Sequence, residues 1–142
     1  TKTEVDMTLF FRDLTQFDSD NPIDFFVQIT KDSYLSNDEI GPIRLEWEQW
    51  LNNYAERLSV EQDSPEERVK RMNAINPKYV LRNYMAQMAI DDADKGDYAL
   101  IDELYNLLKM PYDEQPEMQK WFSKRPDWAN NKIGCSMLSC SS

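Results

Sequence analysis

Histidine is absent from this 142-residue sequence. That removes the usual general base near neutral pH, the commonest zinc ligand, and the base that would activate a serine or cysteine nucleophile. Glycine is nearly as scarce, with 3 residues against 7 prolines, a balance that suits helices joined by short breaks better than a hairpin-rich sheet. It also leaves no glycine-rich loop to cradle a phosphate. No apolar run approaches the roughly 18 residues that span a bilayer, and no basic start followed by an apolar stretch marks an export signal. Basic residues are outnumbered 16 to 26, and the resulting charge of −10 repels a phosphate backbone. Neither nucleic acid nor membrane is an expected partner. Only 2 cysteines occur, and without an export signal they fit a reducing, cytoplasmic setting, where a thiol is more often reactive than structural.

The residues that are present describe a folded helical protein. A hydrophobic fraction of 41%, with 12% aromatic, is enough for a real core. The expected fold is all-α, an irregular bundle of about six or seven helices with a mobile C-terminal tail. Residues 1–128 form the expected helical domain and 129–142 a flexible, cysteine-containing tail. The chain opens Thr1-Lys2-Thr3-Glu4 and runs at once into an amphipathic pattern, which reads as a piece of something longer.

Met7, Phe10, Phe11, Leu14 and Phe17 fall at helical spacing and predict a first helix with a buried aromatic face. Asp20-Asn21-Pro22 caps a second, whose stripe is Ile23, Phe26 and Val27. Ile43, Trp47, Trp50, Leu51, Tyr54 and Leu58 mark a third and longest helix, beginning near Pro42. Its tryptophan pair could serve as a ligand platform or as core, and the spacing favours core. Ser64-Pro65-Glu66-Glu67 is a capping box that predicts a helix to about Ala74. Asn76-Pro77 restarts the chain, with Val80, Leu81, Tyr84, Met85, Met88 and Ala89 as the apolar face. Gly96 ends that helix and Asp97 caps the next, striped by Ile101, Leu104, Tyr105 and Leu108, so the two form a predicted antiparallel hairpin. Beyond Pro111 one short helix is expected around Met118 to Phe122.

Three groups of residues invite a chemical reading. Lys78 and Arg82 sit near the start of the helix expected from Pro77, and Asp91, Asp92 and Asp94 near its end, the reverse of what the helix dipole favours. Lys78 or Arg82 is therefore expected to pair with a carboxylate on a surface to which this region docks. Asp91, Asp92, Asp94 and Asp97 read as helix-end surface and a cap rather than a metal site, since magnesium usually leans on substrate phosphates as well. Cys140 lies in the terminal Ser139-Cys140-Ser141-Ser142, where reactivity explains a thiol better than packing does. Its partner is either Cys135, across a small ring, or a thiol outside this chain. The pair lacks the C-x-x-C spacing of an independent thiol redox protein. A non-catalytic helical module that docks on other proteins through aromatic faces is an alternative reading of the whole.

Four separated motifs occur in order: Asn76-Pro77-Lys78-Tyr79-Val80-Leu81-Arg82-Asn83, Gly96-Asp97-Tyr98, Pro111-Tyr112-Asp113-Glu114-Gln115-Pro116, and Ser139-Cys140-Ser141-Ser142. Together they resemble the C-terminal region of the selenoprotein O family, most specifically over residues 73–142. Earlier residues match more loosely, although Thr8-Leu9-Phe10-Phe11-Arg12 also looks like that family. The resemblance implies a kinase-like protein adenylyltransferase that binds ATP with Mg or Mn and transfers AMP to hydroxyl side chains of protein substrates. It places the catalytic, cofactor-binding and metal-binding residues in an upstream kinase-like domain, so none is carried onto this chain. It implies a cytoplasmic location for the bacterial-type Cys form, mitochondrial if eukaryotic. Cys140 corresponds to a position held by selenocysteine or cysteine, often after another cysteine. Ser139 stands there instead, which leaves Cys140 to pair with Cys135 or an upstream cysteine as a regulatory disulfide.

Overall fold

The computed structural model describes residues 5–31, 33–132 and 135. Its α-helices are α1 (Met7–Asp13), α2 (Pro22–Lys31), α3 (Asn37–Ser59), α4 (Pro65–Ile75), α5 (Asn83–Ala93) and α6 (Ala99–Leu108), with 3-10 segments at Leu14–Gln16, Pro116–Trp121 and Asp127–Asn130. Among the described residues the only extended pairing is an isolated antiparallel bridge between Val5 and Ser33. The expected all-α class is the one observed. The chain divides into two compact units, Thr1–Asn76 and Pro77–Ser142.

In the first unit, Asp6 caps α1 by accepting from the Thr8 and Leu9 N–H groups, both at 3.1 Å. Leu9, Leu14 and Phe17 are buried, as are Phe25, Phe26 and Ile29 of α2 and Leu51 of α3. The predicted stripes are turned relative to these faces: Met7, Phe11 and Val27 are exposed. α1 gives way after Asp13 to a tighter 3-10 turn, and Leu14 and Phe17, in and after that turn, keep to the buried side while Met7 and Phe11 of α1 do not.

α3 starts a full turn before Pro42, where Glu39 accepts from the Ser36 N–H at 2.9 Å and the Ser36 hydroxyl at 2.6 Å. Pro42 lies inside the helix. The residue before a proline normally avoids helical geometry because its Cβ meets the ring, and Gly41 has none. α4 keeps its predicted capping box, with Ser64 Oγ accepting from the Glu67 N–H at 3.2 Å and Glu67 from the Ser64 N–H at 3.0 Å. At its other end the buried Arg12 donates from Nη1 to the carbonyls of Asn73 (3.2 Å) and Asn76 (2.9 Å). A helix end leaves such carbonyls without partners, and a guanidinium suits them in charge and geometry.

In the second unit, Gly96 takes a φ of 86° and closes α5, and Asp97 accepts from the Ala99 N–H at 3.0 Å. Both follow the sequence expectation. The core joins Tyr79, Tyr84, Met85, Ala89, Leu104, Leu107, Trp121, Ala129 and Cys135. On α6 the buried pair is Leu104 and Leu107, while Ile101 and Tyr105 of the predicted stripe face solvent. Within 129–142, the stretch expected as a tail, Ala129 and Cys135 are buried, and residues 133, 134 and 136–142 lie outside the described residues.

Candidate functional site

Pro77–Arg82 is not helical, contrary to the restart predicted at Asn76-Pro77. The N–H groups of Lys78 and Tyr79 both donate to the Pro111 carbonyl, at 2.8 and 3.0 Å. An acceptor some thirty residues ahead takes the donors that a first helical turn would have left open. α5 begins only at Asn83, with Arg82 buried at its cap and its carbonyl accepting from Met85 and Ala86. Lys78 thus lies outside the helix whose dipole made it look misplaced.

Lys78 is 7% exposed and its ammonium is fully engaged. It donates to Glu114 Oε2 at 2.5 Å and Gln119 Oε1 at 2.8 Å, and lies 5.2 Å from the centre of the Phe122 ring and 5.6 Å from that of Tyr79. A buried ammonium is tolerated only when paired and hydrogen-bonded, and both conditions are met. The carboxylate expected on a docked surface is Glu114 of the same unit. The surrounding turn is held by further polar contacts, from Tyr79 Oη to the Gln115 carbonyl at 3.0 Å and from Gln115 Nε2 to the Leu107 (3.1 Å) and Met110 (2.9 Å) carbonyls. Sequence reasoning missed Glu114, Gln115 and Gln119. For Glu114 and Gln115 the one visible signal is the match of Pro111–Pro116 to a family motif, and Gln119 has none.

A second polar set fastens the chain before Cys135. Asp91 accepts from Lys132 and, at 2.8 Å, from Gln87 Nε2, and these bonds, Lys132 first, hold its carboxyl below its usual 3.8. The same contact raises the Lys132 ammonium. Trp128 meets Tyr84 edge-on at 6.1 Å. Nearby, Glu103 accepts from Lys120 and from Trp121 Nε1, both at 2.7 Å, and its carboxyl is lowered by Lys120 first and Trp121 after it. Cys135 itself is a free thiol, 0% exposed, with its N–H on the Lys132 carbonyl at 3.1 Å. Enclosure makes a thiol less reactive than one at the surface. Cys140 lies outside the described residues.

Three of the four aspartates have separate duties. Asp91 pairs with Lys132, Asp92 with Lys95 at 3.1 Å, and Asp97 caps α6. Among the described residues no group of three or more Asp, Glu or Cys is placed to hold a metal ion. The first unit contains a groove of about 430 Å³ lined by Thr15, Asp18, Ser59, Glu61, Asp63 and Arg68. Two of its acids are paired, Glu61 with Arg57 (3.6 Å) and Arg71 (3.7 Å), and Asp63 with Arg71.

A family model described as protein adenylyltransferase SelO matches residues 1–109. The chain belongs to that family. The match reaches back to the first residue, so the stretch before Asn73, which reads more loosely by motif, lies within it. Over 99% of its length the chain is 55% identical to the protein nucleotidyltransferase YdiU of Flavobacterium johnsoniae, of which it covers 27%. It is 46% identical to the YdiU protein of Aromatoleum aromaticum over 100% of the chain, and 47% identical to that of Tolumonas auensis over 99%, covering 27% of each. The chain thus spans about a quarter of the length of these SelO-family relatives. In that family setting Lys78 and Arg82 are buried members of a helical unit.

Proposed function

We propose that this chain is a helical region of a protein adenylyltransferase. A kinase-like part elsewhere in the longer polypeptide binds ATP with Mg or Mn in the cytoplasm and transfers AMP to Ser, Thr or Tyr hydroxyls of substrate proteins. This region supports that part and carries a regulatory thiol, Cys140. The observation behind the reading is identity of 55% across essentially the whole chain to a nucleotidyltransferase of which it covers only 27%. The commitments of its charged residues support the division of labour. Nucleotidyl transfer needs lysine and metal-binding carboxylates free to meet phosphates, whereas Lys78 is locked to Glu114 and Gln119.

Calorimetry with ATP tests the division: the full-length protein binds and the 142 residues alone do not. Micromolar binding to the isolated chain would contradict it. Transfer of labelled AMP to protein by the full-length polypeptide tests the activity. For the thiol, that transfer is expected to change with reductant, and Cys140→Ala to abolish the change. Equal rates with and without reductant would rule the regulatory role out.

A further inference from the structure

The tryptophan pair that sequence spacing assigned to the core divides in the structure: Trp47 is half-buried, whereas Trp50 is 41% exposed. Around Trp50 the surface is aromatic and continuous. Phe10 sits 5.2 Å from Phe11 and 6.0 Å from Trp50, centre to centre, and Trp50 stacks on Tyr54 at 5.4 Å with their planes 7° apart. Phe11 is 39% exposed, and Met7, one turn before it on α1, is 62% exposed. Isolated aromatics on a surface are ordinary, but a contiguous patch of Met, Phe and Trp has the composition of the dry centre of an interface. The stacked pair is also fixed in advance, so covering it costs little side-chain entropy.

We propose that this face, Met7–Phe11–Trp50, is covered by an apolar surface of the same polypeptide outside these residues, and the proposal rests on the longer enzyme inferred above. Two observations select that occupant. The relatives are about four times as long, so most of the polypeptide lies elsewhere. A second copy is disfavoured by charge: the unit bearing the patch holds sixteen acidic residues against eight basic ones, so two such faces repel. The complementary surface is therefore apolar with a basic rim.

The test is maleimide labelling of Met7→Cys in the full-length protein, with the modified peptide followed by mass spectrometry and its rate compared with that in urea. Protection of tenfold or more, unchanged on dilution, is expected. Protection below tenfold overturns the proposal, as does protection that disappears on dilution, which identifies a second copy. If Met7→Cys does not fold, Phe11→Cys is read in the same way. AMP transfer measured on the same sample separates the two readings. An active protein with an unprotected thiol overturns only the docking face, and a protected but inactive one overturns only the adenylyltransferase assignment.

Discussion

The two units solve the same problem of holding short helices together by different means. The first is joined by rings: Phe17 meets Phe25 at 5.8 Å and Tyr54 at 5.0 Å, and Phe10 meets Phe25 at 5.7 Å and Trp47 at 5.9 Å. The second is joined by polar ties: Lys78 to Glu114 and Gln119, Tyr79 to the Gln115 carbonyl, and Trp121 to Glu103. Backbone explains part of the contrast. Long helices such as α3 satisfy their own N–H and C=O groups, so their side chains are free to be apolar. The irregular stretch around Gln115 leaves carbonyls that Tyr79 and Gln115 serve, as Arg12 serves those at the end of α4. Charge divides in the same way, with sixteen acidic residues against eight basic in the first unit and ten against eight in the second.

The sharpest way to break this contrast is Leu51→Ala. Leu51 is 0% exposed among the aromatic rings, and the cavity should cost about 3 kcal/mol. Hydrogen exchange is expected to rise in residues 5–76 while amides of α5 and α6 keep their protection; a uniform rise would show that the units unfold as one. Lys78→Ala should produce the mirror image. It removes two charge-assisted hydrogen bonds and a buried stem, about 2 kcal/mol, because Glu114 is exposed enough to return to water. The loss should appear in the second unit's amides, and a loss confined to the first would contradict the internal role of Lys78. Ser64→Ala, measured by thermal unfolding, should cost about 1 kcal/mol by leaving the Glu67 N–H without its cap.

The smallest effect is expected from Asp91→Asn, read against pH. The Asp91 carboxyl is held below its usual 3.8 in the folded state, so its contribution is present above that value and is lost as pH falls through the lowered one. Urea midpoints should therefore differ slightly between parent and variant at pH 7 and converge as pH falls through the lowered value. A difference that persists in acid would mean that Asp91 acts by shape rather than charge.

Local signals were read correctly wherever the cause was local. The Ser64–Glu67 box, the positive φ of Gly96, the Asp97 cap and a short helical turn near Met118 each depend on a few neighbouring residues. Readings failed where a distant group intervened. The Pro111 carbonyl displaced the start of α5, and Glu114 claimed Lys78. Proline was also overweighted at Pro42, because the effect of Gly41 before it was not counted. Cys135, expected only as a possible partner for Cys140, is enclosed in the core of the second unit and so serves as an anchor for the chain that follows.

That anchor sets a tether length. Whatever course the chain takes beyond it, Cys140 is five residues from a fixed point, so its Cα can travel at most about 18 Å from that of Cys135. A disulfide adds about 5.5 Å between Cα atoms. Any thiol that Cys140 captures must therefore have its Cα within a sphere of about 24 Å centred on the core of the second unit. This radius can be applied to each cysteine of the full-length protein in turn.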